Sequence, residues 1–235
     1  MAKNMNKQMN KAGIIGGLGP ETTTKFYMEV VMSCSKISGV RPKVIISNVA
    51  IPLDVEGDII TKAKNKERIL PFLINSAMEL ENAGADFIVI PCNTVHIFIE
   101  EIRKSVETPV LSIIEETTKF LNTKHIKRIG LLGTKITVDE HLFDEELDKN
   151  GIQIVTPNRD DQEKLGKIIN NLVNSRQTVS DKREFLGIIN NLFSVGVNSV
   201  LLACTDLQLL VGNNDKTFDT MDILAKATIR EILEG

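Results

Sequence analysis

The sequence predicts an α/β protein of two pseudo-symmetric domains, each a parallel sheet flanked by helices, with the working site in the cleft between them. Three observations support this. Apolar runs of strand length alternate with amphipathic stretches of helix length, the pattern of parallel strands joined by crossover helices. The strand-length runs are continuously apolar, as suits strands covered on both faces. The two halves of the 235-residue chain also resemble each other.

Taken in order, the expected strands are Ala12–Gly16, Lys43–Asn48, Phe87–Pro91, Val110–Leu111, Arg128–Leu132, Gln153–Thr156 and Ser199–Ala203. The expected helices are Pro20–Ser35, Lys66–Ala83, Thr94–Val106, Ser112–Asn122, Val138–Asn150, Asp161–Asn174, Asp181–Phe193 and Met221–Leu233. Ala12-Gly-Ile-Ile-Gly16 parallels Ile129-Gly-Leu-Leu-Gly133, and the helix opening at Lys66 has its counterpart at Lys182. Any two α/β units look somewhat alike, but a second coincidence favours duplication. Gly84 precedes Cys92 by eight residues, and Gly196 precedes Cys204 by eight. The expected domains are 11–109 with 207–235, the final helix packing back onto the first half, and 110–206.

A net charge of −3 with scattered Lys and Arg gives no nucleic-acid or membrane surface. No apolar run reaches the roughly 18 residues that span a bilayer. The polar start MAKNMNKQMNK lacks the apolar stretch of a signal peptide and reads as a frayed tail. Three cysteines without a secretion signal fit free thiols in a reducing cytoplasm. There is no CxxC or HxxxH pattern, so no metal is expected.

Cys92 and Cys204 carry the chemistry. Each ends an apolar run, and in parallel sheets ligand crevices lie at the carboxyl ends of strands. In Pro91-Cys-Asn-Thr94 the thiol lies where a helix begins, so backbone N–H groups are expected to lower its pKa below the ~8.5 of a free cysteine. One such residue alone reads as a small core side chain; two in equivalent places suggest thiols facing one pocket. Cys34, inside a helical stretch, reads as core.

Other candidates surround them. The segment Gly16-Gly17-Leu18-Gly19-Pro20-Glu21-Thr22 opens a helix and presents N–H groups to an anion, either a phosphate or a carboxylate; it fails as a dinucleotide fingerprint because GxGxxG is incomplete, and a structural turn flanking a carboxylate pocket is the preferred reading. Asn93 and Thr94 either cap a helix or bind a carboxylate, and the same alternatives hold for Thr134 and Thr137. His96, four residues beyond Cys92, either tunes the thiol or packs. Two thiols do not suit a cysteine–histidine hydrolase, which needs a base beside one nucleophile. They suit racemisation through a carbanion, one thiolate taking the α-proton and the other thiol returning one to the opposite face. A turnover of about 10 per second sets the barrier near ~16 kcal/mol, so developing charge on the carboxylate must be stabilised.

The motifs GGLGPETT, PCNTVH and ACTD resemble those of the cofactor-independent aspartate/glutamate racemase family, within a superfamily that includes hydantoin racemases, maleate isomerases and arylmalonate decarboxylases. The resemblance covers the chain from about residue 11. It implies two similar α/β domains, no pyridoxal phosphate or other cofactor, no metal, and a homodimer acting on a free amino acid. It makes Cys92 and Cys204 the paired acid/base catalysts and Asn93, Thr94, Thr134 and Thr205 donors to the α-carboxylate. Asp206 stands where family members usually have Glu. Aspartate is the expected substrate, with glutamate next. One departure bears on this. Family members often carry an Asn-Pro-x-Ile-Pro-Asp-Arg segment whose arginine reads the side-chain carboxylate, whereas this chain has Asn48-Val-Ala-Ile-Pro-Leu-Asp54. Asn48 is kept and the arginine is not, which leaves Lys164 or Lys167 to supply a charge or a neutral substrate to be accepted. The competing readings are a superfamily isomerase or decarboxylase using one cysteine, and a two-domain amino-acid sensor.

Overall fold

The computed structural model describes residues 9–60, 64–212 and 215–235. The expected frayed tail falls almost wholly outside them. Two parallel four-stranded sheets make up the fold, as the sequence predicts. The first comprises β1 (Ala12–Gly16), β2 (Val44–Asn48), β3 (Phe87–Val89) and β4 (Val110–Leu111), in the order β2-β1-β3-β4. The second comprises β5 (Arg128–Gly133), β6 (Gln153–Val155), β7 (Val200–Ala203) and β8 (Thr217–Asp219), in the order β6-β5-β7-β8. The two orders are the same, half for half.

Two domain boundaries need correction. Val110–Leu111 pairs with Ile88–Val89 and so completes the first sheet instead of opening the second half. Thr217–Asp219 pairs with Val200–Leu202, so the second sheet extends past 206. This last strand is three residues with one aromatic, too short and polar to read as an apolar run.

The helices are α1 (Pro20–Ser38), α2 (Leu53–Ile60), α3 (Leu70–Asn82), α4 (Ile99–Ser105), α5 (Ile113–Thr123), α6 (Lys135–Asp139), α7 (Asp144–Lys149), α8 (Arg159–Val173), α9 (Val179–Ser194), α10 (Gln208–Val211) and α11 (Thr220–Glu234). Local chemistry sets their ends. Ser112 caps α5 by accepting from the Ile114 and Glu115 amides, and Thr178 and Asp181 form a reciprocal capping box on α9. The single helix expected over Val138–Asn150 is two, because Thr134 starts α6 early and His141 adopts a left-handed φ of 53° that breaks the run. The expected Lys66 and Thr94 helices each begin with a 3-10 turn, over Lys66–Ile69 and Thr94–Phe98. Helices α2 and α10 are absent from the sequence reading; α2 is short and carries Gly57 in its middle.

One buried cluster joins the halves. It runs from Ile14 and Val89 of the first sheet through Phe26, Ile113 and Leu224 to Leu131 and Leu201 of the second. Helix α11 packs against α1 and α5 at its centre. Each sheet's other face is covered separately, the first by α3 and the second by α8 and α9. Glycine permits the closest approaches. A Cβ on Gly13 would lie 2.9 Å from Ala85 Cβ, and one on Gly130 would lie 2.9 Å from both Leu192 Cδ1 and Val200 Cγ1. Among the described residues no helix is long and apolar enough to cross a membrane.

Gly130→Val should therefore lower stability by about 1–3 kcal/mol through overpacking. Gly166→Ala, on α8 where an added Cβ meets nothing within 4 Å, should raise it by about 0.5–1 kcal/mol. Thermal unfolding followed by circular dichroism checks both, and the two variants should move Tm in opposite directions.

Candidate active site

The strands β3 and β7 end on the same side of their sheets and deliver Cys92 and Cys204 to one cavity of about 430 Å³. That volume suits a small organic ligand. Cys204 follows β7 directly and is 8% exposed. Cys92 lies three residues past β3, where Pro91 has no N–H to continue the ladder. Cys34 is fully buried in the shared core, as expected.

The sequence argument for an acidified Cys92 is corrected. The Thr94 and Val95 amides do point at its sulfur and favour the thiolate, but burial outweighs them and the thiol is pushed up to about 11. Asp206 and Glu56 add like-charge repulsion. Cys204 is raised further, by burial first and then by Asp206, against a single favourable amide from Asp206; an ionised Cys92 raises it again. The resting site therefore holds two neutral thiols.

His96 packs rather than tuning a thiol through its ring. The Ile113 amide donates to Nε2 at 3.0 Å, which leaves the proton on Nδ1 to be donated to the Cys92 carbonyl at 2.7 Å. Burial lowers its pKa to about 4, so the ring stays neutral and fixes the backbone that bears the thiol.

Asn93 is 2% exposed at the cavity wall, and its amide orientation follows from its neighbours. The Thr220 hydroxyl donates to the Leu202 carbonyl and so must accept from Asn93 Nδ2, at 2.9 Å. Asn93 Oδ1 is left buried with no partner. Thr94 and Thr134 both line the cavity, and their hydroxyls meet across the two halves at 3.1 Å. Thr205 lines it too, at 8% exposure. Asp206 accepts from the Thr22 hydroxyl at 2.8 Å, a second link between the halves, and burial raises its pKa.

Four expected binding residues are not brought to the cavity. Gly17 donates its amide to Thr23 Oγ1 and sits against Asn48, which is exposed beyond the cavity wall. Thr137 is fully buried against Gly133, and its hydroxyl hydrogen-bonds that of Thr134. Lys164 points outward on α8, pairing with Asp161 at 3.4 Å, and Lys167 is exposed. The α8 residues that line the cavity are Ile169, Leu172 and Val173, on a different face of the helix.

The sequence reading missed Thr22 and Glu21 on the first turn of α1, and Glu56 on α2. Leu53, Glu56 and Ile59, spaced three apart, all line the cavity from one face of α2. That spacing was the available signal, had a helix been assigned there. Among the described residues no lysine, arginine or histidine lines this cavity, while three carboxylates do.

A family model described as Asp/Glu/Hydantoin racemase matches residues 15–228. The chain is 27% identical over 232 residues to the broad specificity amino-acid racemase RacX of Bacillus subtilis, covering 94% of this chain and 97% of that one. Among solved structures it is similar to a provisionally assigned Asp/Glu racemase from Yersinia pestis, with a TM-score of 0.84, 29% identity, and 96% and 100% of the two chains covered. It is also similar to the aspartate racemase of Picrophilus torridus, with a TM-score of 0.79, 27% identity and 94% of each chain covered.

The buried groups set pH limits that can be measured. Alkylation of Cys92 by iodoacetamide should keep rising about tenfold per pH unit past the ~8.5 of an ordinary thiol; peptide mapping by mass spectrometry would show the rate level off about one pH unit above ~8.5 if burial did not dominate. The raised thiol pKa values contribute stability that is fully present below ~8.5 and lost as pH rises through about 11. For His96 the folded value lies below the unfolded ~6.5, so its contribution is present above that pH and is lost as pH falls through about 4. Urea unfolding across pH 4–7 should show this acid limb, and His96→Asn should flatten it.

Proposed function

The chain belongs to the Asp/Glu/hydantoin racemase family, and from that premise we propose that it interconverts the enantiomers of a free amino acid without a cofactor, using Cys92 and Cys204 as the two bases. The observation that carries this is the delivery of both thiols to one cavity from equivalent strand ends. One thiolate removes the α-proton and becomes a thiol. The opposite thiol gives its proton to the other face of the carbon and becomes the thiolate. The reverse reaction exchanges the roles, so nothing is consumed.

A thiol held near 11 must first lose its proton to solvent, and must be helped to do so. The Thr94 and Val95 amides supply part of that help at Cys92. The substrate's own α-ammonium supplies the rest, since an opposite charge a few ångströms away favours the thiolate. The unpartnered Asn93 Oδ1 and the Asp206 carboxylate are acceptors for that ammonium. The hydroxyls of Thr94, Thr134 and Thr205 face the α-carboxylate, where charge develops as the proton leaves.

The relatives' names point two ways on the substrate, to aspartate and to broad specificity. Among the described residues the cavity lining has no cation to meet the side-chain carboxylate of aspartate or glutamate. This weakens the expectation of an acidic substrate, while the chemistry at Cα is common to every amino acid.

Cys92→Ser and Cys204→Ser should each lower kcat/KM by about 10²–10⁴-fold, the range for loss of a positioned proton-transfer group. The wild-type protein in D₂O should place solvent deuterium at Cα starting from either enantiomer, as read by NMR. Failure to exchange with a panel of acidic, neutral and basic amino acids would sink the racemase reading.

A further inference from the structure

Resting on the racemase reading, we propose that Glu56 determines specificity and that the favoured substrates have an aliphatic side chain ending in a cation. Helix α2 presents Leu53, Glu56 and Ile59 to the cavity from a single face. Ile169 and Leu172 of α8 line the same cavity. The side-chain end of the cavity is thus a long apolar wall with one carboxylate set in it.

Glu56 makes no hydrogen bond or ion pair among the described residues. Arg68, next to the lining residue Ile69, binds Asp54 at 2.8 Å and Asp58 at 3.0 Å. Lys66 is paired with Glu140. The Glu56 charge is near enough to Cys92 to oppose its ionisation, as does that of Asp206. Glu21, the third carboxylate of the lining, accepts from Ser175 across the mouth of the cavity.

Two consequences follow. A substrate with a second carboxylate would enter a cavity whose charged lining residues, among those described, are all negative. An ammonium or guanidinium on a three- or four-carbon stem would lay its methylenes along the apolar wall and reach Glu56 in a charge-assisted hydrogen bond. It would also offset the field that holds Cys92 protonated, so the same contact that binds the side chain would aid proton abstraction. The cavity volume of about 430 Å³ leaves room for such a chain beyond the α-carbon.

The test compares L-lysine with L-norleucine, which lacks the cation, and with L-aspartate. In the wild-type protein kcat/KM should rank lysine at least tenfold above norleucine and about a hundredfold above aspartate. In Glu56→Gln the lysine-to-norleucine ratio should fall at least tenfold. A ratio that does not move, or aspartate as the best substrate, would overturn the proposal. Binding of the same three amino acids to the Cys92→Ser variant, measured calorimetrically, separates the two readings. Glu56-dependent lysine binding without Cα exchange in the wild-type protein would refute the racemase and keep the specificity. Exchange with binding indifferent to Glu56 would do the reverse.

Discussion

Cys92 and Cys204 lie in a cavity where burial pushes both thiols up and where ionising one raises the cost of ionising the other. At most one thiolate can be present at a time near neutral pH, and that constraint shapes the site around it. The backbone amides of Thr94 and Val95 are aimed at one sulfur and that of Asp206 at the other. A neutral His96 holds the Cys92 carbonyl without adding a charge that would disturb the balance. Two such groups, of which only one is ionised when substrate binds, suit a reaction that begins and ends with one base charged and the other neutral. They do not suit a nucleophile kept permanently ionised.

The placement of the thiols depends in turn on the repeat. In each half a glycine with positive φ, Gly84 at 74° and Gly196 at 85°, turns the chain from a helix into the strand that carries the cysteine. Each turn is secured by a basic side chain from beside the neighbouring strand. Lys11 donates to the Ala83 carbonyl at 3.3 Å, and Arg128 to that of Val195 at 2.8 Å. Gly13 and Gly130 then let those helices settle against the sheet. These pairs were visible in the sequence as glycines at matching places, which is why the duplication and the cysteine positions could be read from it. The boundaries could not, since β4 and β8 are two and three residues long and owe their existence to the strands beside them.

The site was legible where chemistry lies on the strand ends and illegible where it lies on the crossovers. Thr134, Cys204 and Thr205 follow a strand at once and Cys92, Asn93 and Thr94 lie three to five residues beyond one, and all line the cavity. Gly17 follows β1 and Asn48 ends β2, yet the Gly17 amide is engaged by Thr23 and Asn48 is exposed outside the cavity lining. Thr137 belongs to the cap of α6, one step behind the residue that reaches the cavity. Lys164 was chosen for its charge, but α8 turns its apolar face inward, and burying an unpaired ammonium there would cost far more than leaving it beside Asp161. Glu56 was missed because its helix contains a glycine and adjoins residues whose pattern alternates poorly.

The two halves repeat in backbone but not in charge, and under the two-thiol reading this inequality has a thermodynamic bound. Cys92 is approached by two amides and Cys204 by one, and the carboxylate of Asp206 bears on both. Cys92 is therefore the first to ionise, and the enantiomer whose α-proton faces it meets a base more often in the reactive form. Enantiomers have equal free energies in water, however, so kcat/KM must be the same in both directions. An advantage in ionisation for one enantiomer has to be matched by tighter ground-state binding or slower release of the other. Asymmetry between the thiols can set which form of the enzyme accumulates and how kcat and KM divide in each direction. It cannot make the protein favour one hand of its substrate at equilibrium.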